Sequence, residues 1–208
     1  MFDLYLVTDP IAQPGIVEAT RAALSAAPPG RVAVQLRHKG APASELVALG
    51  HALRDVTRAH GVPLLVNDRA DIAKIIGADG VHCPERALTP GDVRAVLGPD
   101  ALVGVSCHDE DGLRAAERGG ATFVTLGPFA ATPDKKPPLA RHRFAVITDL
   151  ARVPILALGG VDASLVADAI RAGARGVAVI RAVYQASDPA AAVLALCRSL
   201  DSARVRAR

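Results

Sequence analysis

The stretch Val34-Gln35-Leu36-Arg37-His38-Lys39 reads as an apolar strand whose alternate positions turn polar and cationic. Successive strand side chains point to opposite faces, so Gln35, Arg37 and Lys39 share one face while Val34 and Leu36 share the other. One face suits a hydrophobic layer and the other an anion. Arginine offers a planar fork of donors, lysine a mobile point charge, and glutamine an amide that can read a polar ring edge. An edge strand with a solvated charged face would carry the same pattern. The remainder of the chain decides between them.

Before this strand, Leu4-Tyr5-Leu6-Val7 is a short strand ending in Thr8-Asp9-Pro10, and a helix over 16–26 closes at Pro28-Pro29-Gly30. After it, Ser44 with Glu45 in the first turn opens a helix towards His60, and Pro63 to Val66 is a third strand ending in Asn67-Asp68. The alternation continues: helix Ala70 to Ile76, strand Gly80 to His82, a helix opened by Thr89-Pro90, strand Leu102 to Ser106, helix Asp109 to Arg118, strand Thr122 to Leu126. The irregular segment Gly127 to Arg143 is long enough to be a functional or a disordered loop. Beyond it come a helix over Phe144 to Ala151, strand Pro154 to Leu158, a helix capped by Asp162, strand Val177 to Ile180, and a last helix from Asp188-Pro189.

One junction recurs, a glycine stop leading into a Val-rich strand, as in Gly77-Ala78-Asp79-Gly80-Val81 and Gly173-Ala174-Arg175-Gly176-Val177. About eight strands alternating with as many helices point to a TIM (β/α)8 barrel. Residues 1–208 are expected to form a single barrel domain. An open doubly wound sheet is the competing topology, disfavoured because no Gly-x-Gly-x-x-Gly follows the first strand.

Half of the 208 residues are apolar and aromatics make up only 3%, so the core must be built from small branched side chains. The net charge of +3 lacks the basic stripe with stacking aromatics that nucleic-acid binding needs. The late arginines around Ala203 to Arg208 read as a frayed, solvated terminus. Three cysteines without close pairing argue for a reducing compartment. With neither a leader nor a membrane-length apolar run, a soluble cytoplasmic protein is expected, with no nucleic-acid or membrane partner. Self-association into a homo-oligomer stays open.

In such a barrel the strand C-termini and the loops after them form the working face. Thr8, Gln35, Arg37, Lys39, Asn67, Asp68, His82, Ser106, His108, Thr132 and Lys135 all fall there. Asn67 and Asp68 could instead cap the next helix. Gly159-Gly160 lets backbone amides approach a phosphate, and Arg181, just past the last strand, could add a cation. His82, Cys83, Cys107 and His108 invite a zinc reading, but they alternate faces and lack ligand-pair spacing.

The sequence resembles the thiamine-phosphate synthase and thiazole tautomerase family through Leu4-Tyr5-Leu6-Val7-Thr8-Asp9, Gln35 to Lys39, Val66 to Arg69, Ala78 to His82, Gly104 to His108, Gly127-Pro128-Phe129, Thr132 to Lys136 and Gly159-Gly160. The resemblance implies a TIM barrel. It also implies a transferase that joins hydroxymethylpyrimidine diphosphate to a thiazole phosphate and releases pyrophosphate. On that basis Gln35, Arg37, Lys39 and Asn67 would hold the pyrimidine diphosphate, Asp68 would bind Mg2+, Ser106 and Lys135 would meet pyrophosphate, and Thr132, Gly160, Ile180 and Arg181 would surround the thiazole phosphate. Arg37, Lys39, Ser106 and Lys135 are the expected catalytic group. A second magnesium-binding Asp of the family is replaced by Ala87, so Glu85 becomes the substitute carboxylate. Asp134 and Arg181 stand where the family commonly has Thr and Ser. The alternatives are a tautomerase-like isomerase using His82 or His108, whose distinguishing His position is here Pro128, and a non-catalytic binder of thiamine-related phosphates.

Overall fold

Short runs rich in Val, Leu and Ala, covered on both faces, form eight parallel strands in the computed structural model, which describes residues 1–9, 15–132 and 137–206. They are β1 (Leu4–Val7), β2 (Val32–Leu36), β3 (Leu64–Asn67), β4 (Gly80–Cys83), β5 (Leu102–Cys107), β6 (Phe123–Leu126), β7 (Ile155–Leu158) and β8 (Gly176–Val179). Each pairs with the next, and β8 pairs back onto β1 with Leu4 opposite Val177 and Leu6 opposite Val179. That last pairing closes the cylinder and excludes the open sheet. The fold is a TIM (β/α)8 barrel.

Among the described residues, helices α1 (Ile16–Ser25), α2 (Ala43–Ala59), α3 (Ala70–Ile76), α4 (Pro90–Leu97), α5 (Glu110–Arg118), α6 (Arg141–Leu150), α7 (Val166–Arg171), α8 (Arg181–Tyr184) and α9 (Pro189–Arg206) surround it. None is long and apolar enough to cross a membrane. The helix α9 packs against both α1 and α7, completing the outer layer where the chain's two ends meet.

Strand alternation separates two cores. Leu4, Leu6, Val34, Leu36 and Val81 face the helices. Phe2, Tyr5, Ala33, Leu65, Phe123, Leu156 and Ala178 fill the barrel interior. The few aromatics are therefore concentrated: every Phe and Tyr is buried, three of them inside the cylinder. Carried towards the strand C-termini, the same inward parity sets Gln35, Asn67, His82, Ser106 and Thr125 above this plug.

Several local expectations are corrected. Ser44 does not cap α2; the helix opens behind Pro42, whose carbonyl accepts from Leu46 N at 3.1 Å. Asp162 does not cap α7 either. Its Oδ1 accepts from Ser164 N at 2.9 Å, closing a local turn that competes with the helix, which begins only at Val166. The helix α6 starts at Arg141 rather than Phe144, and α8 had no counterpart in the expected elements. The C-terminal arginines are not simply frayed: Arg204 lies 2.5 Å from buried Asp3, which is also 2.8 Å from Arg31. Thr89, in contrast, forms a full capping box with Asp92.

Candidate active site

The strand β2 ends at Leu36, so Arg37 and Lys39 lie beyond it instead of within it. The Thr8 hydroxyl takes up the Arg37 backbone where the ladder stops. Gln35, Arg37 and Lys39 line one cavity of about 630 Å3 at the C-terminal mouth of the barrel. Asn67, Glu85, Ser106, Thr132, Gly160, Ile180 and Arg181 line it as well. Gln35 Nε2 donates to Asn67 Oδ1 at 3.1 Å, fixing two amides side by side between β2 and β3. Gly160, at φ 65°, permits close approach of the neighbouring loop, since a Cβ there would stand 2.7 Å from the Ala131 carbonyl oxygen.

Asp68 is outside this lining. It is exposed and holds a left-handed backbone at φ 60°, its N–H donating to the His82 carbonyl at 3.0 Å. Positive φ at a residue other than glycine is strained and clusters at functional sites. Glu85 reaches towards the first turn of α5, where its Oε1 would lie 2.5 Å from a Cβ added to Gly112. Lys135 and Asp134 lie outside the described residues.

The barrel interior adds Thr125 to the expected His82 and Ser106. His82 Nε2 lies 3.0 Å from Ser106 Oγ and 3.3 Å from Thr125 Oγ1. Burial drives the His82 imidazole down to about 3, so it is neutral at physiological pH. His108 Nδ1 is 2.6 Å from the Gly127 carbonyl oxygen. Thr125 escaped notice because a Thr between Val and Leu looks like ordinary strand composition. Its two-residue offset from Phe123, an inward plug residue, was the available signal. Gln185 lines the cavity from the end of α8, which no sequence pattern announces, and Asp162, whose position before a helix suggests a cap, lines it too.

The zinc quartet does not form, because His82 points into the barrel while Cys83 and Cys107 belong to the layer facing the helices. Burial pushes both thiols up to about 12, with Asp68 acting on Cys83 and Glu85 on Cys107 as the next cause. Among the described residues no group of three or more His, Cys, Asp or Glu is placed to hold a metal. Of the described carboxylates, Glu85 and Asp162 line the cavity and Asp68 lies outside its lining; carboxylates are hard oxygen donors of the kind magnesium uses together with substrate phosphates.

The chain matches the thiamine monophosphate synthase family over residues 4–183. It is 41% identical over 199 residues to thiamine-phosphate synthase of Roseiflexus castenholzii, covering 93% of this chain and 86% of that protein. It is 39% identical over 208 residues to thiamine-phosphate synthase of Moorella thermoacetica, covering 98% of each. Thiamine phosphate pyrophosphorylase from Pyrococcus furiosus superposes with a TM-score of 0.86 at 28% identity, over 97% of this chain and 96% of that one. Barrel closure, the polar mouth and these likenesses converge, and the chain belongs to the thiamine monophosphate synthase family as a synthase-type transferase.

Proposed function

We propose that the cavity joins hydroxymethylpyrimidine diphosphate to thiazole phosphate, forming thiamine phosphate and releasing pyrophosphate. The observation carrying this reading is the convergence of Arg37, Lys39, Ser106 and the Gln35–Asn67 amide pair on one cavity, with Arg181 on its wall. The carbon–oxygen bond between the pyrimidine methylene and the diphosphate breaks, and its electron pair leaves on pyrophosphate. The thiazole nitrogen lone pair then forms the new bond to that carbon. No enzymic nucleophile is required. Arg37 and Lys39 supply fixed positive charge where negative charge develops, joined by Lys135 in this reading. Gln35 and Asn67 read the pyrimidine edge, while Thr132, Gly160, Ile180 and Arg181 surround the thiazole phosphate.

Mg2+, when bound, would neutralise diphosphate charge in the manner of metal-assisted phosphate departure. Asp68 is the carboxylate we assign to it, with Glu85 as the second. The full chain, 1–208, acts in this reading as one catalytic barrel. Its three buried free cysteines suit a reducing cytoplasm.

A tautomerase reading through His82 gains no support: it needs an imidazole poised near neutral pH, whereas His82 is held neutral down to about 3. Incubation of purified protein with both substrates, with and without magnesium, tests the proposal. Magnesium-dependent thiamine phosphate formation supports it. Saturable binding without turnover, or turnover of a thiazole carboxylate alone, overturns it.

A further inference from the structure

His82 is held in a cage with one polar outlet. Its ring centroid lies 5.6 Å from that of Tyr5 and 5.8 Å from that of Phe123. Gly104, its register partner on β5, makes the room: a Cβ there would stand 2.5 Å from His82 Nδ1 and 2.4 Å from the Phe123 ring. Nδ1 is buried and has no hydrogen-bond partner among the described residues. Nε2 alone reaches polar atoms, the hydroxyls of Ser106 and Thr125.

This asymmetry selects a tautomer. A buried N–H without an acceptor is rarer in proteins than an under-used acceptor. The proton of the neutral ring therefore belongs on Nε2, from which it is donated to Ser106 Oγ at 3.0 Å. Thr125 Oγ1, in register beside Ser106, donates to the same oxygen at 3.4 Å. With both lone pairs of Ser106 engaged, its own proton has no acceptor within the triad. Ser106 lines the cavity, which is the side left open to its proton.

We propose that His82 and Thr125 are positioning residues that orient the Ser106 hydroxyl as a one-way donor to the anionic leaving group, which is pyrophosphate if the synthase reading above holds. An accepted bond on each lone pair polarises the hydroxyl, and the aromatic cage prevents the ring from turning Nδ1 towards it. The device gives the cavity a directed donor that carries no charge of its own.

The test has an arm independent of turnover. In the native protein labelled with 15N-histidine, the His82 resonances, assigned by their loss in His82→Gln, should show a bare Nδ1 and a protonated Nε2; the reverse tautomer overturns the proposal. Thr125→Val, which keeps the side-chain shape, should weaken inhibition by inorganic pyrophosphate and lower kcat by roughly fivefold to tenfold, the scale of one neutral hydrogen bond. The KM for thiazole phosphate should stay constant and Thr125→Ser should restore both values. Ser106→Ala combined with Thr125→Val should be no worse than Ser106→Ala alone, since the threonine acts through the serine. Equal losses in Thr125→Val and Thr125→Ser, or additive losses in the double variant, overturn the proposal. Should the wild type make no thiamine phosphate, the synthase reading fails, while the tautomer and pyrophosphate binding still decide this one.

Discussion

Thr8 and Arg37 hold one another across the mouth of the barrel: Arg37 N donates to Thr8 Oγ1 at 2.9 Å, and Thr8 Oγ1 donates to the Arg37 carbonyl at 3.3 Å. The hydroxyl, fully buried, stands in for a strand partner one step after the ladder has ended. The backbone carrying a guanidinium beyond the strand is thereby held in place.

Thr8→Val keeps the volume and removes the latch. A buried backbone donor left unpaired costs about 1 to 3 kcal/mol. Because that donor belongs to Arg37, part of the loss should surface as weaker diphosphate affinity. Steady-state kinetics should give a KM for the diphosphate raised several-fold, against a smaller change for thiazole phosphate.

Arg37→Ala and Lys39→Ala should each reduce diphosphate binding and turnover about tenfold or more, with the melting temperature nearly unchanged. Arg37→Lys should recover only part of the loss, since an ammonium cannot reproduce the bidentate fork. Unaltered kinetics in both alanine variants would remove these residues from the site.

The buried imidazole of His82 makes a signed prediction about acid stability. Its folded-state value is depressed to about 3 by burial, while an unfolded chain titrates near 6.5. Between those values the unfolded state binds more protons, so stability is full above about 6.5 and is lost as pH falls towards 3. Carboxylates titrate in part of the same range, so the informative quantity is a difference. Denaturant midpoints measured from pH 7 to pH 4 should fall more steeply for the wild type than for His82→Gln, and parallel curves would contradict the buried neutral ring.

Arg141 ties the start of α6 to the loop after β6. Its guanidinium carbon sits 3.6 Å from the Phe129 ring centroid, and its Nη1 donates to the Phe129 carbonyl. Phe129 in turn packs edge-on against Phe144, with centroids 4.9 Å apart. Arg141→Met retains the apolar stem but loses the cation and the donor, a change of about 1 to 2 kcal/mol. Thr132 projects from this loop, so calorimetric titration with thiazole phosphate should show weakened binding, while inhibition by pyrophosphate should move less.

Much of this molecule is legible along the chain. The glycine stops before β4 and β8 mark where helices hand over to strands, and polar residues gather at or just past the ends of β2, β3 and β5, at the C-terminal mouth of the cylinder. Cap chemistry was reliable at Thr89, where side chain and backbone satisfy each other locally. It failed at Ser44 and Asp162, because equally local partners compete there: Leu46 N goes to the Pro42 carbonyl, and the Ser164 amide draws the Asp162 carboxylate into a turn ahead of the helix.

The sequence by itself determined the alternation of elements and placed the polar residues Gln35, Arg37, Lys39 and Asn67 at or just past strand ends, since both follow from periodicity and residue type. Only the tertiary structure decided that β8 meets β1, that Arg204 reaches Asp3, and that His82, Ser106 and Thr125 share hydrogen bonds. The physical reason is separation along the chain: parity tells which face of a strand a residue occupies, but which residues meet across the interior depends on the stagger with which the strands close.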